Sequence, residues 1–96
     1  MTDAPRFAVI VPAYNEAENI PALFAALRET FDKHSLNGEV VIVDDGSTDG
    51  TFELAVAEAA KFGPNAHVAR HRRNLGKTEA MVTGSRIATA DVLIIF

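Results

Sequence analysis

The stretch Val40-Val41-Ile42-Val43-Asp44-Asp45-Gly46-Ser47-Thr48-Asp49-Gly50-Thr51 decides the fold class. Four β-branched residues in an unbroken row make a strand with no polar face, so both of its faces must be covered. Two acids end the run, and a glycine and hydroxyls follow. Ser47, Thr48 and Asp49 offer capping oxygens to a helix that begins after them. Capping accounts for those residues and leaves Asp44 and Asp45 over. Adjacent carboxylates at a buried strand end repel each other and need a reason, which points to a functional role for Asp45.

Outward from this stretch, strand and helix periods alternate. Phe7–Val11 is a short apolar run, expected to be a buried strand ended by Pro12. Ile20, Leu23, Phe24, Leu27 and Phe31 recur at helical spacing, with Asn19 as candidate cap, Pro21 in the first turn, and a turn at Asn37-Gly38. After Thr51 a second helix is expected to bury Phe52, Ala55, Val56 and Ala59 and to stop near Gly63-Pro64. Ala66–Ala69 predicts a third strand. Lys77–Thr89 predicts a third helix with Ala80, Met81, Gly84 and Ile87 on one side, and Val92–Phe96 a fourth strand. Alternation of this kind argues an α/β fold, with a mostly parallel sheet covered by helices on both sides. Right-handed crossovers place the loops after the strands along one rim, where open sheets bind ligands.

Composition narrows the function. The 96 residues are 48% hydrophobic and 23% charged, the balance of one globular domain. The net charge of −4 argues against nucleic acid as the main partner. The absence of cysteine excludes disulfides and zinc-thiolate sites. No stretch reaches the roughly 20 apolar residues that cross a bilayer. Met1–Arg6 is polar and does not read as a signal peptide, so a cytoplasmic chain is expected. The apolar Ile94-Ile95-Phe96 at the very end sets the expectation of a truncated single domain over 1–96.

The loop after strand one carries Pro12, Ala13, Tyr14, Asn15 and Glu16. An aromatic beside a carboxylate can hold a base and a ribose; the same acids can instead complement a helix dipole. After strand two, Asp45 can accept from the N–H edge of a base or from a ribose hydroxyl. His67, Arg70, His71, Arg72, Arg73 and Lys77 form a basic stretch. It could attract a diphosphate, but long charged side chains are mostly solvated. Lys77 stands apart, because it follows Gly76 at a helix start where an anion would meet free backbone N–H groups. The glycine pattern of dinucleotide-binding loops is missing after strand one. Gly76-Lys77-Thr78 lacks the earlier glycine of a P-loop, since His71 stands there.

Taken in series, F-A-V-I-V-P-A-Y-N-E-A-E-N-I, V-V-I-V-D-D-G-S-T-D-G-T, R-N-L-G-K-T-E-A-M-V-T-G and A-T-A-D-V-L-I-I-F resemble family-2 glycosyltransferases over Phe7–Phe96. The flavour is that of dolichyl- or polyprenyl-phosphate sugar transferases. The resemblance implies the Rossmann-like half of an A-type fold, three layers α/β/α with a four-stranded sheet in the order 3-2-1-4. It implies that Pro12, Ala13 and Tyr14 line a base, that Glu16 contacts the nucleoside and that Asp45 accepts from a base N–H. Asp44 would support the loop or the ribose, and Lys77 would contact base or phosphate. It further implies a UDP- or GDP-sugar donor, inversion at the anomeric carbon, and Mg²⁺ or Mn²⁺ held by an Asp-x-Asp motif after the fourth strand. That motif is not in these 96 residues, and Asp91 precedes the strand rather than following it. No catalytic residue and no metal ligand are therefore assigned here, and the chain alone is expected to be inactive. The acceptor, a polyprenyl phosphate by resemblance, would bring the longer protein to a membrane.

Two other classes remain open at this point. A non-catalytic fragment could self-associate through apolar surface at the fourth strand. A receiver-like signalling domain would need an acceptor Asp after strand three, where Arg70-His71-Arg72-Arg73 stand instead.

Overall fold

The computed structural model describes residues 4–96; Met1–Asp3, the start of the polar N-terminal segment, lie outside the described residues. Strands β1 (Phe7–Ala13), β2 (Gly38–Asp44), β3 (Ala66–Arg70) and β4 (Leu93–Ile95) form one sheet in the order β3-β2-β1-β4. Every pairing is parallel, with Val9 opposite Val40, Ile42 opposite Val68 and Ile10 opposite Ile95. Helices α1 (Ile20–Lys33), α2 (Thr51–Phe62) and α3 (Lys77–Ile87) make the crossovers.

Successive strand residues point to opposite faces, so each central strand feeds two cores. Val9, Val11 and Ala13 of β1 and Val40 and Ile42 of β2 pack with Ile20, Phe24, Leu27 and Phe31 of α1 and with Ala55 and Ala59 of α2. Ala8, Ile10, Val41 and Val43 meet Ala80 of α3 on the other face. The unbroken apolar strands thus sit between two layers of helix, in the three-layer arrangement their composition demands. Phe31 and Phe62 close the far end of the larger core edge to face, 5.7 Å apart.

Several local expectations are corrected. Pro12 does not end β1, which continues to Ala13. Even-numbered β1 residues face β4, where Ala8 N–H meets Val92 and Phe96 N–H meets Ile10; past Ile10 that side has no ladder partner, so a residue without N–H costs nothing there. Val56 is 45% exposed, because α2 turns Thr51, Ala55 and Ala59 inward and Leu54 rather than Val56 flanks the core. Asn19 occupies the cap position of α1 without accepting a backbone bond; its amide donates to Glu16 Oε2 at 2.6 Å across a 3-10 turn, Ala17–Asn19.

The third helix ends at Ile87, short of Thr89. The cause is Glu39, almost fully buried on β2. Its carboxylate accepts from Thr89 N–H (2.8 Å), Thr89 Oγ1 (3.0 Å) and Ala90 N–H (3.1 Å), and His67 Nε2 lies 3.2 Å away. Those N–H groups are drawn out of the helix to satisfy a buried charge, and the chain enters β4 from there. Along β4, Val92 through Phe96 are between 40% and 65% exposed, so this edge presents an apolar surface.

Gly84 sets the spacing between α3 and the sheet. A Cβ there would lie 2.4 Å from Ile10 Cγ2, inside a β-branched side chain that is itself fully buried. Gly84→Ala is therefore expected to destabilise the chain by about 1–3 kcal/mol despite alanine's better helix propensity. Arg86→Ala, at an exposed position of the same helix, should stay within about 0.5 kcal/mol. Urea unfolding measures both; a stabilising Gly84→Ala would contradict this close packing.

Candidate functional site

The rim at the C-terminal ends of β1 and β2 is built from loops that hold each other. Asp45 N–H continues the ladder by donating to Ala13 O at 2.8 Å. Beyond it, side chains of the second loop accept from the backbone of the first: Asn15 N–H to Ser47 Oγ at 2.8 Å, Glu16 N–H to Thr51 Oγ1 at 2.9 Å and Ala17 N–H to Asp49 Oδ2 at 3.3 Å. Asn15 reciprocates, accepting Thr48 N–H on its Oδ1 at 2.9 Å, from a left-handed backbone (φ 51°) that asparagine tolerates.

The hydroxyls and acid read as caps of α2 therefore have a different main task. Gly50 holds the cap position and gives no side-chain bond. Only Asp49 acts on the helix start, accepting Thr51 N–H at 2.9 Å and the Thr51 hydroxyl. The Thr51 hydroxyl contributes most, and together with backbone N–H groups, those of Thr51 and Ala17 among them, it outweighs burial and holds the Asp49 carboxyl below its ordinary value.

Asp45 organises the third wall. Burial alone would raise its pKa, but three donors outweigh it: His71 Nδ1 at 2.8 Å and Leu75 N–H at 2.9 Å on Oδ1, and Gly76 N–H at 2.9 Å on Oδ2. The net result is a carboxyl held below the ordinary range. Loop 71–76 is wrapped around this charge and lies directly on Gly46. A Cβ there would come within 2.2 Å of the Arg73 carbonyl carbon, and the Gly46 φ of +76° favours glycine in any case.

Asp44 is completely buried. Its Oδ1 accepts Ser47 N–H at 3.3 Å; Oδ2 has no hydrogen bond and faces Arg70 Nε at 3.6 Å. The Arg70 guanidinium lies 4.8 Å over the Phe52 ring.

These walls enclose an open cleft of about 350 Å³ lined by Pro12, Ala13, Tyr14, Asp45, Asn74, Gly76, Lys77 and Phe96. Of the residues singled out from sequence, Pro12, Ala13, Tyr14, Asp45 and Lys77 meet here. Glu16 lines an adjoining, more apolar cleft of about 240 Å³ together with Pro12, Ala13 and Phe96. Asp44 lines neither and supports the loop from below. Tyr14 is 45% exposed, free to present its ring.

The basic stretch divides. Arg72, Arg73 and Lys77 are exposed, whereas the His71 side chain is only 10% exposed and bridges Asp45 to Thr83 Oγ1 at 2.7 Å. The sequence reading missed this role and that of Glu39. The one available signal was an unexplained acid in or beside an apolar strand, with a histidine close to the next strand. Among the described residues no group of three His, Cys, Asp or Glu converges as a metal site would require. No helix among them is long and apolar enough to cross a membrane.

The depressed carboxyls give stability a defined pH dependence. When folded, Glu39 and Asp45 release their protons at lower pH than when unfolded, although burial works against both. The stabilisation is complete above the unfolded values and is lost as pH falls through the lower folded ones. Chemical unfolding should show stability flat near neutrality and falling as pH drops below about 4. Glu39→Gln should flatten that fall. A stability that rises on acidification through this window would contradict the assigned bonds.

Comparison with known proteins places this rim in context. The model of the family described as glycosyl transferase family 2 matches residues 8–96. An undecaprenyl-phosphate 4-deoxy-4-formamido-L-arabinose transferase of Aeromonas hydrophila is 37% identical over 93 residues, covering 97% of this chain and 28% of the relative. A dolichol-phosphate mannosyltransferase of Pyrococcus furiosus is 34% identical over 90 residues, covering 94% and 24%. The solved structure of a mannosyltransferase from Pyrobaculum calidifontis, in complex with GDP-Man and Mn²⁺, superposes with a TM-score of 0.76 at 34% identity, covering 96% of this chain and 27% of that one. The chain thus spans about a quarter of the length of these relatives. With its four-stranded parallel sheet and its laced rim, the chain belongs to glycosyl transferase family 2.

Proposed function

We propose that this chain is the donor-nucleotide-binding part of a glycosyltransferase that moves a sugar from a UDP- or GDP-sugar to an acceptor with inversion. The observation that carries the proposal is the cleft itself. It brings a half-exposed aromatic, Tyr14, a cation, Lys77, and a buried carboxylate, Asp45, into one lining. A base stacks on the aromatic, the carboxylate edge offers its remaining acceptor capacity to a base N–H, and the ammonium attracts a phosphate. Glu16 reaches the nucleoside from the adjoining cleft, and Asp44 holds the loop.

The solved mannosyltransferase, with its GDP-Man and Mn²⁺, supports a nucleotide-sugar donor and a divalent metal in the longer protein. The undecaprenyl- and dolichol-phosphate transferases support a polyprenyl-phosphate acceptor, which would bring the longer protein to a membrane. Transfer with inversion needs a base for the acceptor hydroxyl. We assign neither that base nor a metal ligand to residues of this chain, and we propose that the chain alone does not turn over.

A second reading, self-association, is favoured by the exposed apolar run of β4. Sedimentation at rising concentration decides it: a dimer supports it, a monomer throughout contradicts it.

Calorimetric titration with UDP and with GDP, each with and without Mn²⁺, tests the nucleotide proposal. One nucleotide should bind, and Tyr14→Ala should weaken it by on the order of 1–3 kcal/mol. Tyr14 makes no side-chain hydrogen bond among those described, so its loss leaves the loops intact. A folded chain that binds neither nucleotide, or binds one equally well without Tyr14 and without Lys77, would contradict the proposal.

A further inference from the structure

Asp45 already holds Leu75 and Gly76 through their N–H groups. The histidine is a third donor on the same carboxylate, and it comes from the residue that opens the loop. We propose that His71 is a positioning residue of the cleft: its Nδ1–H fixes the Asp45 carboxylate in the one orientation that receives the Leu75 and Gly76 amides and so sets Lys77 at the cleft wall. The proposal rests on the nucleotide-binding reading of that cleft.

The geometry assigns the roles of both ring nitrogens. An ionised carboxylate only accepts, so Nδ1, at 2.8 Å from Asp45 Oδ1, carries the hydrogen. In the neutral ring Nε2 is then the acceptor, and the Thr83 hydroxyl at 2.7 Å donates to it. Thr83 lies on α3, whose first residue is Lys77. His71 N–H also donates to Asp44 O at 2.8 Å, which anchors the backbone of the same residue to the end of β2. The ring therefore spans from the strand end to the helix that carries the cleft's cation. With the ring gone, the carboxylate is free to turn about its own bond, and both loop amides lose a fixed acceptor. Arg72 and Arg73, exposed beside it, provide no substitute, since no hydrogen bond from either reaches Asp45 among the described residues.

Asparagine and glutamine separate this role from mere filling of space. The amide nitrogen of asparagine sits where Nδ1 does; that of glutamine lies one methylene further out, near Nε2. The test compares wild type, His71→Asn and His71→Gln by amide hydrogen exchange at Leu75 and Gly76, and by titration with UDP and GDP. His71→Asn should keep both amides protected and bind close to wild type. His71→Gln should exchange them about tenfold faster and bind about tenfold more weakly, the loss expected for one charge-assisted bond. Equal behaviour of the two variants in exchange, or a His71→Asn chain that does not fold, overturns the proposal. Should the exchange pattern hold while even wild type binds neither nucleotide, the cleft's ligand is wrong and the positioning of the loop stands. Should wild type and both variants bind one nucleotide alike, the ligand is right and His71 does not position it.

Discussion

A carboxylate taken out of water must find hydrogen-bond donors or lose its charge, and in this chain Asp45 finds them in the loop that follows the next strand. The strand end supplies the acceptor; His71, Leu75 and Gly76 supply the donors. Because the donors arrive from residues 26 to 31 positions later, the bond pattern closes the third βα unit onto the second. Gly46 completes the arrangement by leaving room for the backbone of Arg73 and Asn74. The pairing of Asp44 and Asp45, which looks repulsive in sequence, is resolved by pointing the two carboxylates at different partners. One faces the loop amides, and the other lies under Ser47 N–H and beside Arg70.

The same logic recurs at the opposite end of the sheet. Glu39 is buried at the start of β2, where it stops α3 and steers the chain into β4. One strand thus carries a buried acid near each end, with Val40–Val43 packed between them on both faces. The apolar core fixes which elements touch, and the acids fix where the connecting loops go. Lacing of the first two loops through Asn15, Ser47 and Thr51 leaves Tyr14 projecting at the rim without a structural duty. The proposed nucleotide site relies on that division between residues that hold loops and residues that face open space.

Much of the fold was legible because it follows from periodicity. Unbroken β-branched runs announce a sheet covered on both faces, and the 4-3-4 spacing of Ile20, Phe24, Leu27 and Phe31 announces the helix face that α1 buries. The cleft was legible in part: Pro12, Ala13, Tyr14, Asp45 and Lys77 come together from distant segments, yet they were singled out by local chemistry and by resemblance. What could not be read were bonds between segments. Ser47 and Thr48 look like caps because capping is the local use of a hydroxyl before a helix; their actual partners lie 32 and 33 residues earlier. His71 looks like one more solvated cation because nothing nearby in sequence shows the carboxylate it meets. Val56 looks like core because helical period alone does not say where the buried stripe is centred. Each of these errors is a local rule overruled by a tertiary partner.

The central claim is that the rim around Asp45 is where this chain meets a ligand, and nitrogen–proton correlation NMR of the labelled chain during nucleotide titration tests it most directly. The account predicts saturable shifts at the amides of Ala13, Tyr14, Gly76 and Lys77, with the α1–α2 surface around Arg28 and Phe62 unmoved. Shifts centred on that helical surface, or none anywhere in a folded chain, would contradict it.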